Sequence, residues 1–202
     1  MLLRFLIASG PTEEPLDAVR YLTNRSTGVM GKHLAAAAKA RGHRVTWVRC
    51  PEMARTARDL EKVLTKELPK HDVLVMTAAV CDVRPASVAG GKIKKDALKT
   101  LRLVKNPDIL AGLAKRKKKG QVFVGFALES DNAMANARKK LKAKGLELVV
   151  LQKVSAGRTP FGEKPVDAWI LDAKKGAERH VSISKKRLAG LLIGRASALY
   201  RA

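Results

Sequence analysis

Apolar and polar positions along the chain follow two different periods, and these periods alternate. Short, nearly continuous apolar runs predict buried strands, whereas apolar positions three or four residues apart predict helices that pack on them. The run 72–79 is the strongest strand pattern, and its lack of alternation is typical of a central parallel strand covered on both faces. The predicted elements are, in order, a strand at 3–9, an alanine-rich helix at 31–41 stopped by Gly42, a strand at 43–50, a helix at 53–68 and the strand at 72–79.

The segment 80–105 interrupts this alternation. It is rich in glycine, proline and lysine and shows no clear period until 101–104, so we expect a long functional loop. The sequence Asn106-Pro107-Asp108 then predicts a helix start, with the asparagine as N-cap and the proline at the first helical position. The remaining predicted elements are a strand at 121–128, a helix at 132–144, strands at 146–152, 166–172 and 180–184, and a final amphipathic helix from Lys185.

Strands that alternate with helices in this way are typical of βαβ units, which build a parallel sheet. We therefore predict a Rossmann-like, three-layer α/β/α sandwich with a mostly parallel central sheet, as a single domain over 1–202. The chain has no run approaching the roughly 20 apolar residues of a membrane span, and its first apolar run is predicted as a strand, not a leader. Cys50 and Cys81 form neither a disulfide framework nor a metal motif, so we expect a cytoplasmic protein.

The charge of the chain points to an anionic partner. It carries 41 basic and 18 acidic side chains, a formal net charge of +23, which attracts polyanions such as nucleic acid. Aromatic residues make up only 4%, however, so few side chains are available to stack on the bases of a single-stranded nucleic acid. The basic runs 115–119 and 138–140 are interpreted mainly as solvated surface. Only a few of these charges are needed to steer a small phosphorylated substrate.

The segment 24–31 is a candidate anion site because it crowds hydroxyl, amide and glycine residues before a helix. It lacks G-x-G-x-x-G, and a Walker loop would need Gly at position 26 and Ser or Thr at position 33, where Ser26 and His33 stand. Dehydrogenases and P-loop kinases are therefore disfavoured. The pattern alone leaves two alternatives open: the segment binds an anion, or Ser26 or Thr27 merely caps the helix.

Four blocks of unusual sequence follow one another between residues 3 and 152. They are SGPTEEPLDAVRYLTNRSTGVMGKHLA, then TAAVCDVRP followed by GGKIKK, then LVKNPDIL, and finally GFALES with ARKKLKAKG. Their order resembles the phosphopantothenate–cysteine ligase family. The resemblance implies a flexible flap within 80–105 and a two-step reaction. In the first step the carboxylate of 4′-phosphopantothenate attacks the α-phosphate of CTP, and in the second the amine of cysteine displaces CMP from the acyl-cytidylate.

The resemblance also implies roles for individual residues. Asn24 matches the asparagine that holds the acyl-cytidylate, and Lys92 matches the catalytic lysine of the flap; taken alone, Asn24 would be interpreted as a turn residue. The positions that match nucleotide contacts are Met76, Thr77, Ala78, Asp82, Lys92, Pro107, Asp108, Ile109, Leu110, Phe126, Lys140 and Lys144. Independently of the family, Lys140 and Lys144 lie four residues apart on one helical stripe, and an anion between them would relieve their repulsion.

Further expectations follow from the same resemblance. We expect Mg²⁺ to arrive with the nucleotide, held mainly by phosphates and water, with protein ligands that the sequence leaves unknown. We expect no flavin, because the decarboxylase often fused to this domain in bacteria does not precede it here; a separate decarboxylase is a candidate partner. A homodimer is expected, with 80–105 as flap and dimerisation region. Val83 and Gln152-Lys153 depart from the family pattern and leave the choice between CTP and ATP open.

Two other functions compete with the ligase at this stage. The net charge of +23 is also typical of a nucleic-acid-binding module, whose retention on DNA would fall steeply with salt. A homologue without ligase activity would bind the nucleotide and release no pyrophosphate.

Overall fold

Apolar strands and amphipathic helices alternate along the chain in the computed structural model, which describes residues 1–155 and 159–200. The strands are β1 (Arg4–Ser9), β2 (Glu13–Pro15), β3 (Tyr21–Thr23), β4 (Arg44–Arg49), β5 (Val73–Met76), β6 (Val83–Pro85), β7 (Leu103–Lys105), β8 (Val122–Glu129), β9 (Leu148–Lys153), β10 (Val166–Asp172) and β11 (Gly176–Ile183). The α-helices are α1 (Val29–Ala40), α2 (Ala57–Glu67), α3 (Ile109–Ala114), α4 (Ala133–Ala143) and α5 (Lys185–Leu199).

Within the described residues one large sheet has the strand order β11-β10-β9-β8-β5-β1-β4. The strands from β4 to β9 in this order are parallel, and β10 and β11 are antiparallel additions at one edge. β5 lies between β1 and β8 and is fully buried, as its unbroken apolar pattern predicts. The predicted mostly parallel, Rossmann-like architecture is confirmed.

Helices cover both faces of this sheet. α2, α3 and α4 bury leucines such as Leu60, Leu64 and Leu113 against one face, whereas α1 and α5 bury Leu34 and Leu188 against the other. Each such side chain contributes roughly 1.5–3 kcal/mol when it leaves water. No helix in the described ranges is long and apolar enough to cross a membrane.

Two predicted helix starts are wrong, and capping explains both. α2 begins at Ala57, not at Met53, because the Thr56 hydroxyl and the Asp59 carboxylate form a reciprocal capping box. α3 begins at Ile109 because Asp108, not Asn106, accepts the amide of Ala111 at 3.1 Å. Asp and Asn are equally good N-caps, so the sequence could not distinguish them.

The segment 80–105 is more ordered than its pattern predicts. Its two ends pair as the antiparallel strands β6 and β7, and β2 pairs with β3 in a second small hairpin. Each of these strands has only three residues, too few for a period of two to be recognised. Both hairpins follow the carboxyl ends of sheet strands, where they build the surroundings of the site.

Candidate functional site

Two cavities open at the carboxyl ends of β5 and β8, where ligands gather in open α/β sheets. The first cavity, of about 530 Å³, reaches from these strand ends to the N-termini of α1 and α5. The second, of about 370 Å³, reaches from the same strand ends to α3 and α4. Their common wall is formed by Ala78, Val80, Asp82, Phe126 and Lys140. The two cavities are therefore adjoining compartments of one candidate site.

Every site residue predicted from the sequence, except Lys92, lines one of these two cavities. The first cavity contains Asn24 and Thr77, the second contains Met76, Pro107, Asp108, Ile109, Leu110 and Lys144, and the common wall contains Ala78, Asp82, Phe126 and Lys140. Four separate sequence blocks thus meet at one edge of the sheet. Their individual roles remain predictions.

Asn24 lies directly after β3, at the edge of the first cavity. Its side-chain amide donates to the carbonyl of Ala79 at 3.2 Å and lies 3.9 Å from the Cys81 sulfur. The neighbouring Thr23 hydroxyl donates to the Thr12 carbonyl at 2.7 Å and closes the base of the β2–β3 hairpin. Burial raises the pKa of the Cys81 thiol, which fits the interpretation of Cys81 as a packing residue.

The first turn of α1 has no side-chain cap within the described residues. Gly28 is the N-cap, with φ of 69°, and neither Ser26 nor Thr27 caps the helix. The Ser26 hydroxyl instead accepts the amide of Gly28, and the Thr27 hydroxyl accepts the amide of Gly162. The capping alternative for this segment is wrong, and the amides of the helix start face a cavity that also contains lysines.

Lys140 is the cation in the wall between the cavities. Its ammonium donates to the Phe126 carbonyl at 2.5 Å and forms no ion pair with a carboxylate of the described residues. Burial, and then the charge of Lys144, lower the pKa of Lys140. Within the run 138–140, interpreted mainly as solvated surface, Lys140 is only partly exposed. A half-buried cation beside two cavities is well placed to bind an anion.

Lys144 is held differently from Lys140, although both lie on the same stripe of α4. Its ammonium pairs with Asp108 at the start of α3, at 2.9 Å. Burial favours the neutral acid, but the Lys144 hydrogen bond and the Ala111 amide outweigh it and lower the pKa of Asp108. The pair joins α3 to α4 across the mouth of the second cavity.

Asn106 fixes the backbone that carries Asp82. Its side-chain amide donates to the Cys81 carbonyl at 2.9 Å, and its backbone amide donates to the Asp82 carbonyl at 2.8 Å. Arg84 donates in turn to the Asn106 side-chain oxygen at 3.2 Å. These bonds explain why Asn106 is not the cap of α3: its polar groups position the Asp82 carboxylate in the common wall.

Lys92 lies outside both cavities, on the exposed tip of the 80–105 segment. The next residue is anchored: the Ile93 amide donates to the buried Asp17 carboxylate at 3.1 Å, and the Ile93 carbonyl accepts from Arg20 at 2.9 Å. Asp17 and Arg20 also form an ion pair with each other, and this pair strongly lowers the pKa of Asp17. In this conformation Lys92 faces solvent while the chain beside it is fixed.

Sequence reasoning missed one buried cation of the site. Lys185, in the first turn of α5, is only 4% exposed and lines the first cavity together with Pro160 and Phe161. The available signal was a lysine directly after a good N-cap, Ser184, where the helix dipole disfavours positive charge.

The described residues contain no group of three or more His, Cys, Asp or Glu side chains that could hold a metal ion. Asp82 and Asp108 are the carboxylates that line the second cavity, and Asp108 is paired with Lys144. Asp82 is therefore the candidate protein ligand for a cation that enters with a phosphorylated substrate.

Almost the whole chain matches the model of one known protein family. The model of the DNA/pantothenate metabolism flavoprotein C-terminal domain family matches residues 2–199. The chain belongs to this family. The family resemblance inferred from the four sequence blocks is thereby confirmed.

Individual members of the family agree with this assignment. The coenzyme A biosynthesis bifunctional protein CoaBC of Escherichia coli strain K12 is 40% identical over 206 residues, which cover 95% of this chain and 50% of the relative. CoaBC of Mycobacterium tuberculosis strain H37Rv is 36% identical over 208 residues, covering 92% and 49%. The chain thus spans about half the length of these curated relatives.

A solved structure shows which half of such a relative the chain corresponds to. The crystal structure of the C-terminal domain of CoaBC matches with a TM-score of 0.79 at 26% identity, covering 98% of this chain and 95% of the other. The chain therefore corresponds to the C-terminal domain of such a relative and shares its fold.

Proposed function

We propose that this domain is a phosphopantothenate–cysteine ligase of coenzyme A biosynthesis. The carboxylate of 4′-phosphopantothenate attacks the α-phosphate of CTP, and pyrophosphate leaves. The amine of cysteine then attacks the acyl carbon, and CMP leaves with the bonding electron pair. The observation that carries the proposal is the pair of adjoining cavities, because an acid and a nucleotide bound on either side of the common wall would meet there.

We assign the nucleotide to the second cavity and the acid to the first. Asp108, Lys144 and the start of α3 surround the second cavity with polar groups, while Asn24 stands at the edge of the first. An amide both donates and accepts hydrogen bonds, which suits an acyl-cytidylate with a carbonyl and a phosphate oxygen.

Lys140 is proposed to offset the charge that develops on phosphorus. The attack of a carboxylate on a triphosphate brings negative charges together, so a preorganised cation lowers the barrier. Lys140 is half-buried, is held by the Phe126 carbonyl and lies in the wall common to both cavities. From this wall its ammonium could contact the α-phosphate while the acid in the first cavity attacks the nucleotide in the second.

Mg²⁺ is proposed to arrive with the nucleotide. Asp82 is the carboxylate of this chain that would contact the ion or its water shell, and the phosphates would supply most of the remaining ligands. When bound, Mg²⁺ would neutralise part of the triphosphate charge. The rest of the site, including Lys140 and Asn24, orients the acid and excludes water.

We further propose that the domain is a homodimer and that Lys92 acts across its interface. Large apolar side chains are exposed on and around the two small hairpins, which supports an interface there. They are Val19, Tyr21, Val88, Leu101 and Leu103. Since Lys92 lines neither cavity of its own chain, a partner's flap is the simplest way to supply it. The amide product would be the substrate of a flavin-dependent decarboxylase.

Pyrophosphate release tests this proposal. With 4′-phosphopantothenate and no cysteine, we expect a single turnover of pyrophosphate with CTP and little with ATP, and continuous turnover once cysteine is added. Nucleotide binding without pyrophosphate release would contradict a catalytic function. Equal release with both nucleotides would leave the ligase in place and refute the CTP preference.

A further inference from the structure

Lys185 is a buried cation that the reaction described so far does not use. It is only 4% exposed and lines the first cavity at the start of α5. Its ammonium donates to the carbonyls of Pro160 and Gly162, each at 2.5 Å. An ammonium has three protons, so these two neutral acceptors leave one donor for another group.

The position of Lys185 is linked to the start of α1 through the segment 159–163. The Gly162 amide donates to the Thr27 hydroxyl at 3.2 Å, while its carbonyl accepts from Lys185. Glu163 contacts His33 of α1 at 2.9 Å. These bonds bring the ammonium to the same end of the first cavity as the uncapped amides of α1.

The charge of Lys185 has no ionic partner among residues 1–155 and 159–200. The carboxylate that acts on it is that of Glu163, which pairs with His33 and is largely exposed. Burial lowers the pKa of Lys185, and Glu163 only partly opposes this effect. The positive end of the α5 dipole is also unfavourable for a cation. An anion bound beside the ammonium would offset both the cost of burying the charge and the unfavourable helix dipole.

We propose that Lys185 binds the phosphate of the acid substrate, at the end of the first cavity opposite the common wall. This inference rests on the proposed function and assigns the residue that binds the phosphomonoester of its acid substrate. The dianion would accept from the Lys185 ammonium and from the first amides of α1, and the carboxylate would lie near Asn24 and Lys140. Lys185 and Lys140 thus hold the two ends of one substrate.

Replacement of Lys185 tests the inference, with the exposed neighbour Lys186 as a matched control. K185M and K186M lose the same charge, but only the first alters the cavity. For K185M we expect the KM for 4′-phosphopantothenate to rise roughly ten- to hundredfold, as for loss of a charged hydrogen bond. The KM for CTP and all constants of K186M should stay within about twofold.

Unphosphorylated pantothenate separates phosphate binding from a purely structural role. We expect its inhibition constant, measured against 4′-phosphopantothenate, to be unchanged in K185M, because pantothenate lacks the group that Lys185 binds. If Lys185 only holds the segment 159–163, both acids will weaken in the same proportion, and the inference is wrong. K185R should recover most of the preference for the phosphorylated acid, and thermal unfolding will show whether each variant is folded. If the wild type forms no amide, the proposed function itself has failed.

Discussion

Asn24 illustrates how much of a site residue can be predicted from sequence. Its type and its neighbours identify the family block, but the turn that carries it could equally be structural. The structure supplies the missing information, because β3 and the Ala79 carbonyl hold the amide at the edge of a cavity that also contains Lys140. Long-range contacts of this kind leave no local signal in the sequence.

Replacing Asn24 by aspartate tests its role. The carboxylate cannot donate to an acyl-cytidylate and would repel its phosphate, so we expect Asn24→Asp to slow amide formation by about ten- to a thousandfold. CTP affinity should change far less, because the nucleotide is assigned to the other cavity. Rapid-quench measurement of pyrophosphate release and amide formation, beside CTP titration by calorimetry, distinguishes the two effects. Equal loss of both would identify Asn24 as structural.

The two lysines of the first cavity, Lys140 and Lys185, show where charge patterns mislead. Lys140 and Lys185 each lie next to other basic residues, so their local sequence predicts solvated surface. Packing of α4 and α5 on the sheet nevertheless brings both to the cavities, where Lys185 is buried and Lys140 half-buried. The helical stripe placed Lys140 beside Lys144, and both line the second cavity, although their role there stays a prediction. For Lys185 the adjoining N-cap was the only available signal.

At the scale of elements, the parallel strands and their helices were predicted closely, and the errors lie at ends and in short pieces. β10 has the predicted bounds, whereas β11 begins at Gly176, four residues before the predicted start at His180. Residues 176–179 of this hairpin are exposed and lack an apolar pattern. Strand pairing alone orders them, and the sequence pattern does not record pairing.

The contact between the starts of β1 and β5 gives a test of the fold that is independent of the site. The Asp72 carboxylate accepts one hydrogen bond from the Arg4 guanidinium at 2.7 Å and another from the Arg4 backbone amide at 2.8 Å. The Arg4 hydrogen bond lowers the pKa of Asp72 despite an opposing effect of burial. A lowered carboxyl pKa contributes stability that is present above the unfolded-state pKa and is lost as pH falls through the folded-state pKa.

We therefore expect Asp72→Asn to reduce the free energy of unfolding by about 1 kcal/mol near pH 7, since Arg4 is half exposed. The difference from wild type should shrink as pH falls below about 4. Urea unfolding at several pH values measures it. A difference independent of pH would show that the ion pair is not the cause. Ligase activity should be retained, because this contact lies at the amino ends of the strands.

At the scale of the whole molecule, a single chain does not explain how Lys92 could reach the candidate site. The flap is anchored beside Asp17 and Arg20, and its lysine lines neither cavity. The single domain over 1–202, the dimer and the action of Lys92 in a partner's site all remain predictions. Exposed apolar residues on the hairpins support the dimer, but a single sequence pattern cannot identify which surface a second copy covers.

Subunit complementation tests both the dimer and the flap. Lys92→Ala and Asn24→Asp should each inactivate the homodimer. Mixed dimers would contain one intact site, formed by Asn24 of one chain and Lys92 of the other, so random mixing should restore about a quarter of wild-type activity. Differently tagged subunits allow the mixed dimer to be purified and counted. If purified mixed dimers are inactive, Lys92 does not act across the interface.

The measurement that tests the central claim most directly follows oxygen from the acid to the nucleotide. If the acid and CTP meet at the common wall, a carboxylate oxygen of 4′-phosphopantothenate becomes bonded to the α-phosphorus. Substrate labelled with ¹⁸O in its carboxylate should therefore give CMP with one ¹⁸O for each amide formed, as measured by mass spectrometry. Amide formation with the label in phosphate or pyrophosphate, or no amide at all, would contradict the account.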